Sequence, residues 1–319
     1  MEQDRLEPAT PGDPVPGSPV PDTQMPGEGG GNIIRRMSPV GFAVFSLFVV
    51  FVLYQVLGGA AVLLFGGQPK ADTVGLFRWF TLLGQITGIL LPTLLLIRLR
   101  TPNVSGYLRL KLPSPVQILV TVVAVFALQQ VLQGYLALQE AIPLPHNVRE
   151  IVERVKELFE ETYRILVSAE SIPEFMFVVL IVAVVPALAE EFLFRGIVQR
   201  SMEQTAEGVR GAVLAGVIFG AFHLNPFSLV PLIALGVFFG YLVYRSQNIT
   251  LAVAAHFFNN FIACTASYLQ LRDDFVVLAP DQTASLSLVA LNTSFFGMVF
   301  LVSLLYFRRL TEPEQDDLV

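Results

Sequence analysis

The chain has 319 residues, 54% of them hydrophobic and only 14% charged, with a mean hydropathy of +0.63. A soluble domain carries about 25% charged residues, so this composition excludes an ordinary water-soluble fold and reads as an all-α polytopic membrane protein. The formal net charge of −6 comes without a basic cluster, which removes nucleic acid from the expected partners.

From the N-terminus, Met1 to Asn32 is rich in Pro and Gly and has no positively charged region followed by an apolar one, so it does not read as a signal peptide. It cannot bury enough apolar surface to offset its ordering entropy. Residues 1–36 are therefore expected to be a disordered cytosolic tail, residues 37–310 a membrane domain, and residues 311–319 a second short cytosolic tail.

Eight candidate spans follow, each near the roughly 20 apolar residues that cross a bilayer. They cover residues 40–65, 76–97, 116–138, 174–194, 209–223, 228–244, 251–271 and 286–307. The fifth and sixth are short and divided by Asn225-Pro226, so the number falls to seven if one of them only dips into the membrane. The single cysteine, Cys264, lies in an apolar span and reads as a small buried hydrophobe.

With the N-terminus inside, the inner side carries Arg5, Arg35, Arg36, Arg98, Arg100, Arg109, Lys111, Arg195, Arg200, Arg210, Arg245, Arg308 and Arg309. The outer side carries Lys70, Arg78, Arg149, Arg154, Lys156, Arg164 and Arg272. This imbalance predicts cytosolic N- and C-termini. The expected location is the cytoplasmic membrane of a bacterium, as a multi-pass integral protein.

Residues 146–170 form a different kind of helix. Ile151, Val155, Leu158, Phe159 and Leu166 recur at helical spacing, and Glu150–Arg154 and Glu160–Arg164 are i,i+4 pairs in the favourable order. An amphipathic helix along the outer interface is expected there, with His146 as an ordinary exposed histidine. Further on, Ala212, Gly216 and Gly220 recur every four residues, and Gly236 and Gly240 repeat the pattern. Such faces let helix backbones approach in lipid, and packing explains them without a chemical role.

The polar residues of the second half are what composition does not explain. Residues 184–196 read Val-Val-Pro-Ala-Leu-Ala-Glu-Glu-Phe-Leu-Phe-Arg-Gly, and carboxylates are expensive at membrane depth. Glu191 and Arg195 share a helix face and are expected to neutralise each other near the inner interface. Glu190 has no such partner. Pro186, four residues earlier, removes one helical hydrogen bond and tends to kink the helix, which would admit water beside Glu190. Glu190 lies 16 residues before Ala206 and His223 lies 16 residues after Glu207. In an antiparallel hairpin, equal distances from the turn mean similar depth, so the two can face each other. The next parallel helix brings His256 and Asn260, again i,i+4 on one face.

A carboxylate near an imidazole can hold and deprotonate a water. A second imidazole and an amide can donate to a developing oxyanion. Two histidines and a glutamate can also hold zinc, here Glu190, His223 and His256, although the usual H-E-x-x-H helix is absent. Polar residues that only join helices would account for any one of these side chains, but not for the whole set on three facing helices.

Glu190-Glu191-x-x-x-Arg195, Phe219-x-x-x-His223 and His256-x-x-x-Asn260 resemble, in order, the three motifs of the CAAX-protease and bacteriocin-processing enzymes, also called the Abi family. The resemblance covers roughly residues 172–271 and would make residues 37–310 a transmembrane protease domain. It implies an intramembrane endopeptidase with an eight-helix fold that acts on a membrane-associated protein or peptide. Glu190 and His223 would activate water, His256 and Asn260 would form the oxyanion hole, and Glu191 and Arg195 would support the site. It fits a metal-free glutamate mechanism, the one favoured here because amides are uncommon zinc ligands, as well as the older zinc description. Two alternatives stand beside it: a non-catalytic membrane chaperone, immunity or scaffold protein of the same fold, and a proton- or ion-coupled transporter. Against the transporter, the sequence lacks paired broken helices in matching halves.

Overall fold

The computed structural model describes residues 32–65, 73–269 and 286–312. Most of both expected tails, and the loop cations Lys70 and Arg272, lie outside these. Every element among the described residues is helical. In chain order they are α1 (Ile33–Arg36), α2 (Pro39–Phe65), α3 (Val74–Arg100), α4 (Val104–Leu108), α5 (Pro115–Glu140), α6 (His146–Val167), α7 (Ile172–Glu203), α8 (Arg210–Phe222), α9 (Leu229–Ser246), α10 (Ile249–Tyr268) and α11 (Leu286–Leu310). Seven of them, α2, α3, α5, α7, α9, α10 and α11, are long and apolar enough to cross a membrane.

The fifth expected span is the exception. Helix α8 has 13 residues, about 20 Å at 1.5 Å per residue against a hydrocarbon core of about 30 Å. Its end is written in the local sequence. Leu224 adopts a left-handed backbone, φ 52°. Asn225 then accepts the Phe227 and Ser228 N–H groups on its side chain at 3.1 and 3.3 Å, an Asx turn that Pro226 favours. The chain reverses directly after His223, so that histidine stands at a helix terminus.

Helix α7 is the centre of the bundle. Half of its most apolar window is buried, against 17% in α11 and 22% in α2. It contains two π-helical stretches, Leu180–Val184 and Phe192–Gln199, a distortion frequent at functional sites. The α8–α9 contact that faces it is made by the small residues: a Cβ on Gly216 would lie 2.5 Å from the Val237 nitrogen, and one on Gly236 would lie 2.8 Å from the Gly216 carbonyl.

Helix α6 runs beside the bundle with Ile151 and Leu158 exposed, as an amphipathic helix at a lipid boundary would be. Its ion pairs differ from those expected: among the described residues Lys156 pairs with Glu140 and Glu160, and His146 with Glu150, whereas Glu150–Arg154 and Glu160–Arg164 are not joined. Its C-terminal end is fixed by the buried Arg78 of α3. That guanidinium donates to the Ile165, Leu166 and Ser168 carbonyls and pairs with Glu174 of α7.

Candidate active site

Of the six side chains chosen from the sequence, five fall into two groups. The first is Glu190 with His223. Glu190 Oε2 stands 3.6 Å from His223 Nε2, with 20% and 29% of the two side chains exposed. His223 Nδ1 lies 2.7 Å from the Phe219 carbonyl one turn back in α8. A carbonyl only accepts, so Nδ1 carries a proton, and whenever the ring is neutral it turns a bare Nε2 toward Glu190. In that state two acceptors face one another across a 3.6 Å gap, too long for a direct hydrogen bond. Glu190 Oε2 is shielded and has no hydrogen-bond partner.

The second group is Glu191, Arg195 and His256. Glu191 and Arg195 are fully buried, with Arg195 Nε 3.0 Å from Glu191 Oε2 and Arg195 Nη1 donating to Oε1 at 3.2 Å. His256 Nδ1 donates to the same Oε1 at 2.8 Å. The pair is thus buried within the bundle and has a third member, His256, that the sequence did not assign to it. Arg195 also donates to the Gly236 carbonyl at 2.8 Å, which the glycine leaves uncovered. Its charge lies over the rings of Phe219 and Phe239 at 4.8 and 5.5 Å, favourable contacts for a desolvated cation. His256 stacks on Phe239, ring centroids 5.4 Å apart.

Asn260 belongs to neither group and has two ties. In an α-helix the Val182 carbonyl would bond the N–H of residue 186, which Pro186 lacks. Asn260 Nδ2 donates to that carbonyl instead, at 2.8 Å. Its Oδ1 accepts from Asn259 Nδ2 at 2.9 Å, and Asn259 in turn accepts from Gln129 of α5 through both its carbonyl and its side chain. One N–H of the Asn260 amide remains for a substrate. Asn260→Ala should therefore cost stability as well as rate. Stranding the Val182 carbonyl is expected to cost about 1–3 kcal/mol, read as a lowered midpoint in detergent unfolding. An unchanged midpoint would dismiss the tie.

Gln129 and Asn259 were not among the sequence candidates. Amides in apolar helices were the available signal, but neither has a motif partner in sequence. The zinc option gave Glu190, His223 and His256 as ligands. In the structure Glu190 faces His223 while His256 gives Nδ1 to Glu191, and no group of three His, Cys, Asp or Glu among the described residues could hold a metal ion. As arranged, these residues do not fit a three-donor zinc site.

Over residues 172–262 the chain matches the Rce1-like family model, described as type II CAAX prenyl endopeptidase Rce1-like. No curated protein and no solved structure matches the chain. The matched stretch contains all six candidate side chains and Asn259.

Proposed function

We propose, for a chain whose residues 172–262 are an Rce1-like type II CAAX prenyl endopeptidase domain and which is an intramembrane protease of that family, that Glu190 and His223 together activate the hydrolytic water without a metal. The observation that supports this most is the 3.6 Å separation of Glu190 Oε2 and His223 Nε2, two acceptors when the ring is neutral. A water that donates one hydrogen to each is held with its lone pairs outward, toward a peptide carbonyl. As the water oxygen bonds to the carbonyl carbon, its proton passes to the pair. When the C–N bond breaks, the same proton goes to the departing amine, so the site returns to its starting state.

The negative oxygen formed on attack is met by the remaining Asn260 N–H and by His256 Nε2, which carries a proton when the ring is cationic. Glu191 serves that role by accepting from Nδ1, which fixes the ring's orientation. Glu191 and Arg195 are positioning residues, too deeply buried to meet substrate. The substrate is a membrane-associated protein or peptide; a prenylated C-terminus is what the family's description suggests for it.

Comparative proteomics of membranes carrying wild-type or Glu190→Ala protein tests the reading. Proteins that accumulate uncut only with Glu190→Ala would be substrates. Identical proteomes, with the wild type folded and present, would reject it.

We also propose that the termini and the Arg-rich end of the bundle face the cytosol, in line with the Arg and Lys distribution. Helix α5 is 26 residues long, so the segments before and after it lie at opposite ends of the bundle. A membrane-impermeant thiol reagent applied from outside should label Glu157→Cys in α6 and spare Ser105→Cys in α4, in a Cys264→Ala background. The reverse pattern would invert the topology.

A further inference from the structure

At the end of the bundle where α3, α4 and α7 meet, two cavities of about 490 and 470 Å³ adjoin through the shared side chains of Arg109 and Arg200. Arg100 lines one and Lys111 the other. Four cations thus face a single carboxylate, Glu203, and both of its oxygens are occupied: Oε2 by Arg109 Nη2 at 2.7 Å and Oε1 by Gln199 Nε2 at 2.8 Å.

The guanidinium groups are held in place by the protein. Arg200 donates to the Tyr107 carbonyl at 2.7 Å and lies over the Tyr107 ring at 4.6 Å. Arg100 donates to the Met37 carbonyl at 2.8 Å and lies over Phe42 at 5.2 Å. Arg109 has a left-handed backbone, φ 55°, a conformation that residues other than glycine seldom adopt. Its Nη1 is shielded from water and has no acceptor among the described residues, and a buried donor in that condition calls for one. Rigid, partly desolvated arginines match the oxygens of a phosphate.

We propose that this basic pocket binds a phosphate group, that of an anionic phospholipid headgroup. The volume exceeds what a lone phosphate needs. Beside the pocket, Leu110 is 46% and Leu112 is 99% exposed, on either side of Lys111. Apolar side chains flanking cations at the rim of a membrane bundle suit a site whose ligand carries acyl chains, and basic pockets between helices on the cytosolic side take lipid headgroups. The site is more than two helical turns from Glu190 along α7 and plays no part in the hydrolysis proposed above.

The test is a thermal-shift titration of the full chain in neutral detergent with phosphatidylglycerol, phosphatidylcholine or inorganic phosphate. Phosphatidylglycerol should raise the midpoint saturably and phosphatidylcholine should not. Lys111→Glu alters an exposed side chain and should leave the lipid-free midpoint unchanged while weakening the phosphatidylglycerol response at least about fivefold, the effect of one surface cation. Arg200→Gln should weaken it at least as much. An equal saturable shift from inorganic phosphate would support the pocket and give it a soluble ligand. Equal responses to the two lipids, or a wild-type response from both variants, would overturn the proposal.

Discussion

Glu190→Gln should abolish proteolysis while the protein folds in normal yield. Glutamine keeps the shape of the side chain and removes its capacity to take a proton. It also suits the local geometry: His223 Nδ1 is committed to the Phe219 carbonyl at 2.7 Å, so beside an uncharged glutamine the neutral ring leaves Nε2 to accept, and the new amide can donate to it. A small shift of the side chain would close the 3.6 Å gap into a direct hydrogen bond, and the two lone pairs meant for water are lost together. Proton transfer by a placed side chain contributes about 10²–10⁴ in rate, and the expected loss is at least that. His223→Ala should be about as damaging, and the double variant little worse than either, because residues that act as one unit are not additive. The measurements are cleavage of an identified substrate in proteoliposomes and the unfolding midpoint in detergent. Cleavage by Glu190→Gln above about one hundredth of the wild-type rate would remove Glu190 from the chemistry.

The parts of this site that could be read in advance are those fixed within one helix or one hairpin. Glu191 and Arg195 meet because four residues are about one turn. Glu190 and His223 meet because equal distances from a turn set equal depth. The reach of His256 to Glu191 was not legible. It depends on how far α10 is rotated and tilted against α7, and a single sequence carries no term for that. The i,i+4 spacing of His256 and Asn260 put them on one face of α10 but did not reveal their separate anchors on α7, Glu191 for the one and the Val182 carbonyl for the other.

The tie between Asn260 and Val182 did have a signal, since Pro186 names the carbonyl it leaves free; only the donor's identity was hidden. The length of α8 was half legible. Asn225-Pro226 marked a boundary, but the left-handed turn at Leu224 is adopted by a residue that does not favour it. On α6, charge spacing overstated what forms, because Lys156 is drawn to Glu140 across a loop and exposed pairs are weak enough to be exchanged.

Glu191→Gln should differ from Glu190→Gln by failing first as a folding variant. Glu191 is fully buried, and all its neighbours in the cluster are donors: Arg195 Nε and Nη1, and His256 Nδ1. A glutamine there would present an amide N–H₂ to at least one of these donors and would leave the Arg195 cation uncompensated in the bundle core. Removing one partner of a buried ion pair costs about 3–5 kcal/mol. The contacts of Arg195 with Phe219, Phe239 and the Gly236 carbonyl retain part of its stabilisation, which sets the expectation toward the lower end. The yield of monodisperse protein should fall, the unfolding midpoint should drop, and activity per folded molecule should fall as well, since His256 loses its anchor. A second change separates charge from shape. Removing both partners in Glu191→Leu/Arg195→Met eliminates the stranded cation and should recover part of the lost stability, because apolar replacement of a buried pair is often close to neutral. It should not recover activity. If Glu191→Gln melted with the wild type, or if the double variant were less stable than Glu191→Gln, the ion pair would not be what holds α7, α9 and α10 together at this level.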